Sequence, residues 1–525
     1  MGPAGRPPTD RAILLLLAVV WLAATAWARP LAVPDEGRYI GVAWEMLRSG
    51  QWLTPTLDGL PYFHKPPLFY WITAASLRLF GMSEWAGRMA PLLGAAAGAS
   101  ALFLFARYWA DRRVAALALL VLVTQPLFFF GAQFANLDML VAGCIGVTIL
   151  AFAHAVLGAA AGGARPRASL AIGYLFAALG VLAKGLIGLV LPAMVILAWL
   201  LVLRRPRALL SLLWLPGIAL FLGVAMPWFV AMQARFGDFA HYFIVVQHLD
   251  RYAQAGFNNA HPAWFFPLVL ALLALPWSPW LLRALRRAYW NDAERGPVRK
   301  LMWLWLVIVT TFFSLPQSKL VGYILPVTIP LAFLVADAAT QLRRDSLGWR
   351  RLWTATALVA TVCCLTLAAL ASAYPQRSTR ELAGALKSRI APGDGVIFLQ
   401  EYYFDLPFYA GLLAPVMVAG DWGSREVARL DNWRKELVDA GQFAPEAARQ
   451  VLLPRAAVMT ALCASPITWL VAPKSVTKDY PVLQGAEPIA QTDTDILLRL
   501  KVGPTGSPGA PACLKKPSAD SADKS

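Results

Sequence analysis

Two adjacent carboxylates, Asp35 and Glu36, open the stretch PDEGRYIGVAWEMLRSGQWLTPTLDGLPYFHKPP, residues 34–67, a polar and aromatic island between long apolar runs. Arg38 and Tyr39 follow on a short amphipathic pattern whose apolar face is Ile40, Ala43, Trp44 and Leu47. Tyr62, His64 and Lys65 close the island before the Pro66-Pro67 stop. Ionisable groups next to a membrane are costly to desolvate unless they face one another or a ligand. Their density here marks a site in which carboxylates can act as acid, base or ion partner and a lysine can hold an anion.

Other charges sit at the ends of apolar runs. Asp138 follows FANL, Lys184 lies in LAKG, and Lys319 and Tyr323 stand in FFSLPQSKLVGYILP. A longer polar loop carries HYFIVVQHLDRYA, in which His248 and Arg251 are three apart and share a helix face. The plain alternative for any one of these is a snorkelling or helix-capping residue. As a set they supply acids (Asp35, Asp138), cations (Lys65, Arg251, Lys319) and phenols (Tyr39, Tyr62, Tyr323). Cations with tyrosines suit a phosphate, because charge-assisted hydrogen bonds to its oxygens are about twice as strong as neutral ones.

The elements that must position these groups are membrane helices. Of 525 residues, 58% are hydrophobic and 15% charged, and the mean hydropathy is +0.56. Nearly uncharged runs predict spanning segments near 11–28, 84–110, 114–133, 136–160, 168–183, 186–203, 208–231, 262–284, 300–315, 322–340 and 350–373. Arginine and lysine clusters (Arg112 and Arg113, Arg204 to Arg207, Arg283 to Lys300, Arg343 to Arg351) fall in alternate loops, which assigns that side to the cytoplasm. The island, the turns at Asn136, Lys184 and Gln317–Lys319, the 232–261 loop and everything after Tyr374 then face outward. That alternation requires Leu68–Phe80, although apolar, to be interfacial or re-entrant. The first run, retained here as a span, has the alternative of a cleavable leader.

Residues 1–374 are thus expected to form the membrane domain, with juxtamembrane loop 29–83. Residues 375–502 should form an outer α/β domain, and 503–525, rich in Pro, Ser, Ala and Lys, a disordered tail. Strands are expected at 396–400, 416–419, 469–472 and 496–500, with helices near 378–389 and 424–440. The net charge of +17 is dispersed between apolar runs, which fits membrane anchoring and not a nucleic-acid footprint. The five cysteines have no CxxC spacing; only Cys463 with Cys513 suggests a disulfide. Asp493-Thr494-Asp495 matches a DxD metal pattern but leads into a C-terminal strand, and no glycine-rich phosphate loop, HExxH or GxSxG is present.

In order, DEGRY, GQWLTPTLDGLPYFHKPPLFYW, FANLDM, LAKG, QHLDRY and SKLVGYILP resemble the bacterial GT-C glycosyltransferases related to the lipid A aminoarabinose transferase and the protein O-mannosyltransferases. The resemblance covers about residues 12 to 340. It implies a polytopic α-helical membrane protein with thirteen spans, of which eleven are counted above, and a C-terminal periplasmic domain. It further implies transfer of a sugar from undecaprenyl (polyprenyl) phosphate to lipid A phosphate or a related envelope acceptor at the periplasmic face of the bacterial inner membrane. By that resemblance Asp35 is the acid of the first loop and Asp138 the second, with Glu36 beside them. Lys65, Arg251 and Tyr323 hold the donor phosphate, with Arg38, Tyr39, Tyr62, Lys184 and Lys319 lining the donor site. The family carries a metal ion where this chain has His64 and Val246-Gln247-His248; His64 and His248 are therefore candidate zinc ligands, and no cofactor is otherwise implied. A protein O-glycosyltransferase is the enzymatic alternative. A lipid-linked sugar flippase is the alternative of another class, against which stand the absence of an internal repeat and the gathering of charge on one face.

Overall fold

Each long apolar run is helical, because in hydrocarbon the backbone must satisfy its own hydrogen bonds within the segment. The computed structural model describes residues 9–162, 166–250, 260–285, 287–290, 294–340, 347–375, 377–425, 427, 432–480, 483 and 485–501. Among the described residues seven helices are long and apolar enough to cross a membrane, or eight if Arg112–Val123 and Pro126–Ala132, bent by 68°, count as one span. Thr9–Ala23, Ile187–Val202, and the pair Phe265–Leu273 and Ser278–Leu285 supply shorter helical counterparts to the remaining expected spans. Leu68–Phe80 is a helix of 13 residues, about 20 Å of rise and too short for a bilayer core of about 30 Å. Along Leu347–Ala373 the exposed side chains include Leu352, Leu358, Val359, Val362 and Leu370, the composition of a lipid-facing surface.

The chain divides into two compact units: one comprises 1–30, 51–54 and 63–375, and the other 31–50, 55–62 and 376–525. The second unit takes its longest segment from residue 376 onward. The island does not stay whole, however, since most of it joins the C-terminal segment.

In the helical unit, Met89–Trp109 packs on Leu137–Ala160 through glycines: a Cβ on Gly143 would overlap the Gly94 backbone. One end of this unit is tied by a buried ion network. Asp337, fully buried, accepts from Arg295 at 2.9 Å and Arg299 at 2.6 Å, and Arg295 also reaches Asp111 at 2.7 Å. Two arginines around one carboxylate leave none of the three uncompensated, the condition under which buried charge is tolerated.

The second unit is built on a six-stranded sheet in the order Leu452–Pro454, Met417–Gly420, Gly395–Leu399, Ile467–Pro473, Asp495–Lys501, Glu487–Gln491. The first four are parallel and the last two run antiparallel to their neighbours. Four of the strands fall where the alternation places them. Leu452–Pro454 and Glu487–Gln491 are not anticipated, being edge strands that contain proline and little alternating apolar pattern. Helix Arg380–Lys387 lies within the expected 378–389, whereas Trp433–Gln442 covers only the later half of the expected 424–440 and runs two residues beyond it. Ile397, Leu399, Ala419, Leu470, Leu498 and Leu500 form the core under the sheet. Cys463 is disulfide-bonded, while Cys513 and the rest of 502–525 lie outside the described residues.

Asp405 is fully buried in this unit and accepts from Thr379 N at 2.9 Å, Thr379 Oγ1 at 2.8 Å and Ser378 Oγ at 3.0 Å. Burial outweighs those bonds and raises its carboxyl from 3.8 to about 6. The folded form therefore keeps a proton that the unfolded chain has lost above about pH 4. Stability contributed by this group is full below about pH 4, declines as pH rises through 6, and levels off beyond, a total of about 3 kcal/mol. In pH-dependent thermal unfolding, Asp405→Asn is expected to flatten the decline between pH 4 and 6; an unchanged slope would refute the assignment.

Candidate active site

Asp138 stands in the first turn of Leu137–Ala160, whose N-cap Asn136 accepts from its backbone N–H at 2.7 Å. Lys184 is the last residue of Arg167–Lys184. A carboxylate at a helix N-terminus and an ammonium at a C-terminus are each favoured by the helix dipole, and antiparallel packing of these neighbouring helices brings the two to one end. There they form an ion pair, Lys184 Nζ to Asp138 Oδ1. The Lys184 ammonium also lies 4.3 Å from the ring centroid of Tyr323, a cation–π contact. Gly322, next to that tyrosine, has no room for a side chain, because a Cβ would run into the Asp138 carboxylate. Three of the expected motifs, more than 180 residues apart at their extremes (138 to 323), thus share one cluster in the helical unit. The cluster pairs a buried carboxylate with a cation that retains partial exposure, with a phenol alongside.

Lys319, from the same turn as Tyr323, has a different task. It is 2% exposed, and Nζ donates to the carbonyl of His261 at 2.8 Å and to that of Pro316. With His261 N donating to Gln317 O at 3.1 Å and a bridge from Ala260 to Ser318, it fastens the end of the long loop to this turn. In these contacts it serves the backbone. His64 is buried, with its ring 5.9 Å from that of Tyr242, and Lys65 is half-buried; both belong to the helical unit. Arg251 and the side chain of His248 lie outside the described residues. Among the described residues no three His, Cys, Asp or Glu side chains cluster as metal ligands. Of the two candidate zinc ligands only the His64 side chain is described, and one imidazole does not make a zinc site.

The other expected residues fall in the second unit. Asp35, half-exposed, begins the helix Asp35–Ser49. Its Oδ1 accepts from Arg38 Nη2 at 2.9 Å. Arg38 Nη1 pairs with Glu436, and Tyr62 Oη donates to the other oxygen of Glu436 at 3.4 Å. The Arg38 guanidinium sits 5.6 Å from the Tyr39 ring and 5.3 Å from that of Phe404. Glu36 is fully buried and its carboxylate accepts from Ala32 N at 2.9 Å, which makes it a cap for the helix entry. Asp35, Arg38, Tyr39 and Tyr62 are therefore assembled around one charge network. Glu436 is the member that sequence reasoning missed: Asn432 signals a helix start, its side chain accepting from Arg434 N and Lys435 N, but nothing local tells Glu436 from its acidic neighbours.

Within this unit a second pair of carboxylates has a structural assignment. Glu45 accepts from Thr56 Oγ1 at 2.8 Å, Asp58 N at 2.6 Å and Gly59 N at 2.9 Å, and Asp58 accepts from Val416 N at 2.8 Å. Burial raises both carboxyls, and for Asp58 the Glu45 charge adds to it. They hold the hairpin of Thr56–Leu57 and Leu60–Pro61 in place.

Residues 64–230 match the family model described as dolichyl-phosphate-mannose-protein mannosyltransferase. Among characterised proteins, the chain is 34% identical over 319 residues to the undecaprenyl phosphate-alpha-4-amino-4-deoxy-L-arabinose arabinosyl transferase of Pseudomonas aeruginosa strain LESB58, covering 60% of this chain and 56% of that one. To the same-named protein of Aeromonas hydrophila it is 34% identical over 352 residues, or 65% and 62% of the two lengths. The match thus spans 56% to 62% of the length of these relatives. Among solved structures, ArnT from Cupriavidus metallidurans bound to undecaprenyl phosphate superposes with a TM-score of 0.78 at 23% identity, covering 94% of this chain and 98% of that one. The fold is shared with that protein.

Proposed function

We propose, for a chain that has the GT-C fold of that structure and is related in sequence to the aminoarabinose transferases, that it is a multi-pass membrane glycosyltransferase. It moves an aminopentose, 4-amino-4-deoxy-arabinose or a close analogue, from undecaprenyl phosphate to a phosphate of lipid A or a related envelope acceptor. The reaction takes place at the periplasmic face of the inner membrane, where a donor anchored in the bilayer replaces the nucleotide sugars absent there. The observation that carries this reading is the meeting of Asp138, Lys184 and Tyr323 in one cluster. The leaving group is a phosphate. Lys65, Arg251 and Tyr323 are assigned to hold it, and stabilising its growing charge at the point of bond cleavage lowers the barrier. Lys184, fixed by Asp138, adds a cation at Tyr323. Asp35 serves as general base when a hydroxyl attacks; when an already ionised phosphate attacks, it orients the acceptor and stabilises positive charge on the sugar ring. Both roles require the carboxylate to be ionised and turned to the sugar.

The family model over 64–230 favours one second reading, a protein O-glycosyltransferase. Mass spectrometry of lipid A from cells with and without this protein separates the two. The expected result is a lipid A species heavier by one aminopentose residue that depends on the protein. Unchanged lipid A, with a hexose instead appearing on envelope proteins, would replace the first reading by the second.

A further inference from the structure

We infer, resting on the reading of Asp35 as the acid of the transfer step, that Glu436 is a positioning residue that sets Asp35 through Arg38. Arg38 lies one turn after Asp35 on the same helix and presents two nitrogens to two carboxylates: Nη2 to Asp35 Oδ1 at 2.9 Å and Nη1 to Glu436 Oε1. The side chains of Arg38 and Glu436 are only 15% and 10% exposed, whereas Asp35 keeps 36% of its side-chain surface accessible. The shielded end of the relay is therefore Glu436, and the open end is the acid.

Glu436 is itself well fixed. It projects from a helix capped by Asn432, accepts from Tyr62 Oη at 3.4 Å, and faces an arginine whose guanidinium lies 5.6 Å from the Tyr39 ring centroid and 5.3 Å from that of Phe404. A planar guanidinium is a rigid fork, here with one prong assigned to each carboxylate. Because Glu436 occupies one prong, Asp35 receives a single hydrogen bond through Oδ1 and retains accessible surface for a substrate. Without that competition the fork closes on Asp35 with both prongs, withdraws its second oxygen, and places the whole cationic charge on it. The C-terminal segment, in this account, keeps the first-loop acid available.

The charge argument makes a readout that a merely structural role would not move. In full-length protein purified in detergent, with undecaprenyl phosphate-linked 4-amino-4-deoxy-arabinose as donor and lipid A as acceptor, E436Q should lower kcat roughly tenfold. The donor KM should stay within about threefold, a split that general loosening of the fold would not produce. E436D, which keeps the charge, should restore kcat to an intermediate value. If E436Q does not fold, R38Q decides the matter: with the fork removed, its kcat should fall at least as far. Wild-type kcat in E436Q or in R38Q, equal losses in E436Q and E436D, or a donor KM in E436Q that rises in step with the loss of kcat overturns the proposal. D35N is measured alongside: near-normal turnover there sinks the reading of Asp35 itself, whereas an inactive D35N with an indifferent Glu436 sinks only the relay.

Discussion

Replacing Asp35 by asparagine is expected to lower the turnover of sugar transfer by at least about 10²-fold, the usual scale for loss of a positioned acid or base, while leaving the protein folded. The two halves of this expectation have separate grounds. The amide has nearly the size of the carboxyl but cannot carry its charge, so it serves neither as base nor as a counter-charge to the sugar ring. Stability holds because Asp35 is half-exposed and Arg38, on losing it, still pairs with Glu436; no buried cation is orphaned. A melting temperature close to wild type together with turnover at background is the expected pair of measurements. Turnover near wild type would remove Asp35 from the mechanism.

Lys184→Met is expected to damage both activity and stability. Asp138 is 4% exposed, and a buried carboxylate that loses its partner costs about 3–5 kcal/mol. The loss of charge beside Tyr323 should also weaken the hold on the leaving phosphate and lower kcat by about 10²-fold, the scale of removing one transition-state donor. The two effects come apart in the double variant Asp138→Asn with Lys184→Met. With no unpaired charge left, its melting temperature should recover most of the loss, while transfer stays low. A single Lys184→Met variant that melts and turns over like wild type would show that the cluster is neither structural nor functional.

Much of this organisation is legible in the chain itself. Apolar runs locate the helices, and the turns at Asp138, Lys184 and Tyr323 stand out because charge and phenol interrupt otherwise lipid-compatible sequence. Their convergence is not legible, since it depends on which helices are neighbours. Gly322 illustrates the limit: its lack of a side chain reads as ordinary loop chemistry until the Asp138 carboxylate is found against it. Lys319 illustrates another, because a lysine tied to backbone carbonyls and one awaiting an anion have the same sequence signature. Glu36 and Asp35 are adjacent and chemically alike, yet one caps the chain entry and the other faces the arginine fork. Helix phase separates them, and a single-residue shift in the helix start would exchange their roles. The edge strands Leu452–Pro454 and Glu487–Gln491 escape detection because they lack the two-residue periodicity that a half-covered strand in the middle of a sheet must have.

The unit that holds Asp35 is stitched from chain segments 31–50, 55–62 and 376–525. About 300 residues separate its early pieces from its last, roughly half a minute of ribosome time at about 5–20 residues per second. During biogenesis the acid-bearing helix has only the adjacent hairpin, held by Glu45, as a native partner within its unit until the final third of the polypeptide has been made. A nascent or prematurely terminated chain can thus insert its helices without acquiring Glu436 or the sheet. Maturation of the Asp35 network is in this way coupled to completion of synthesis.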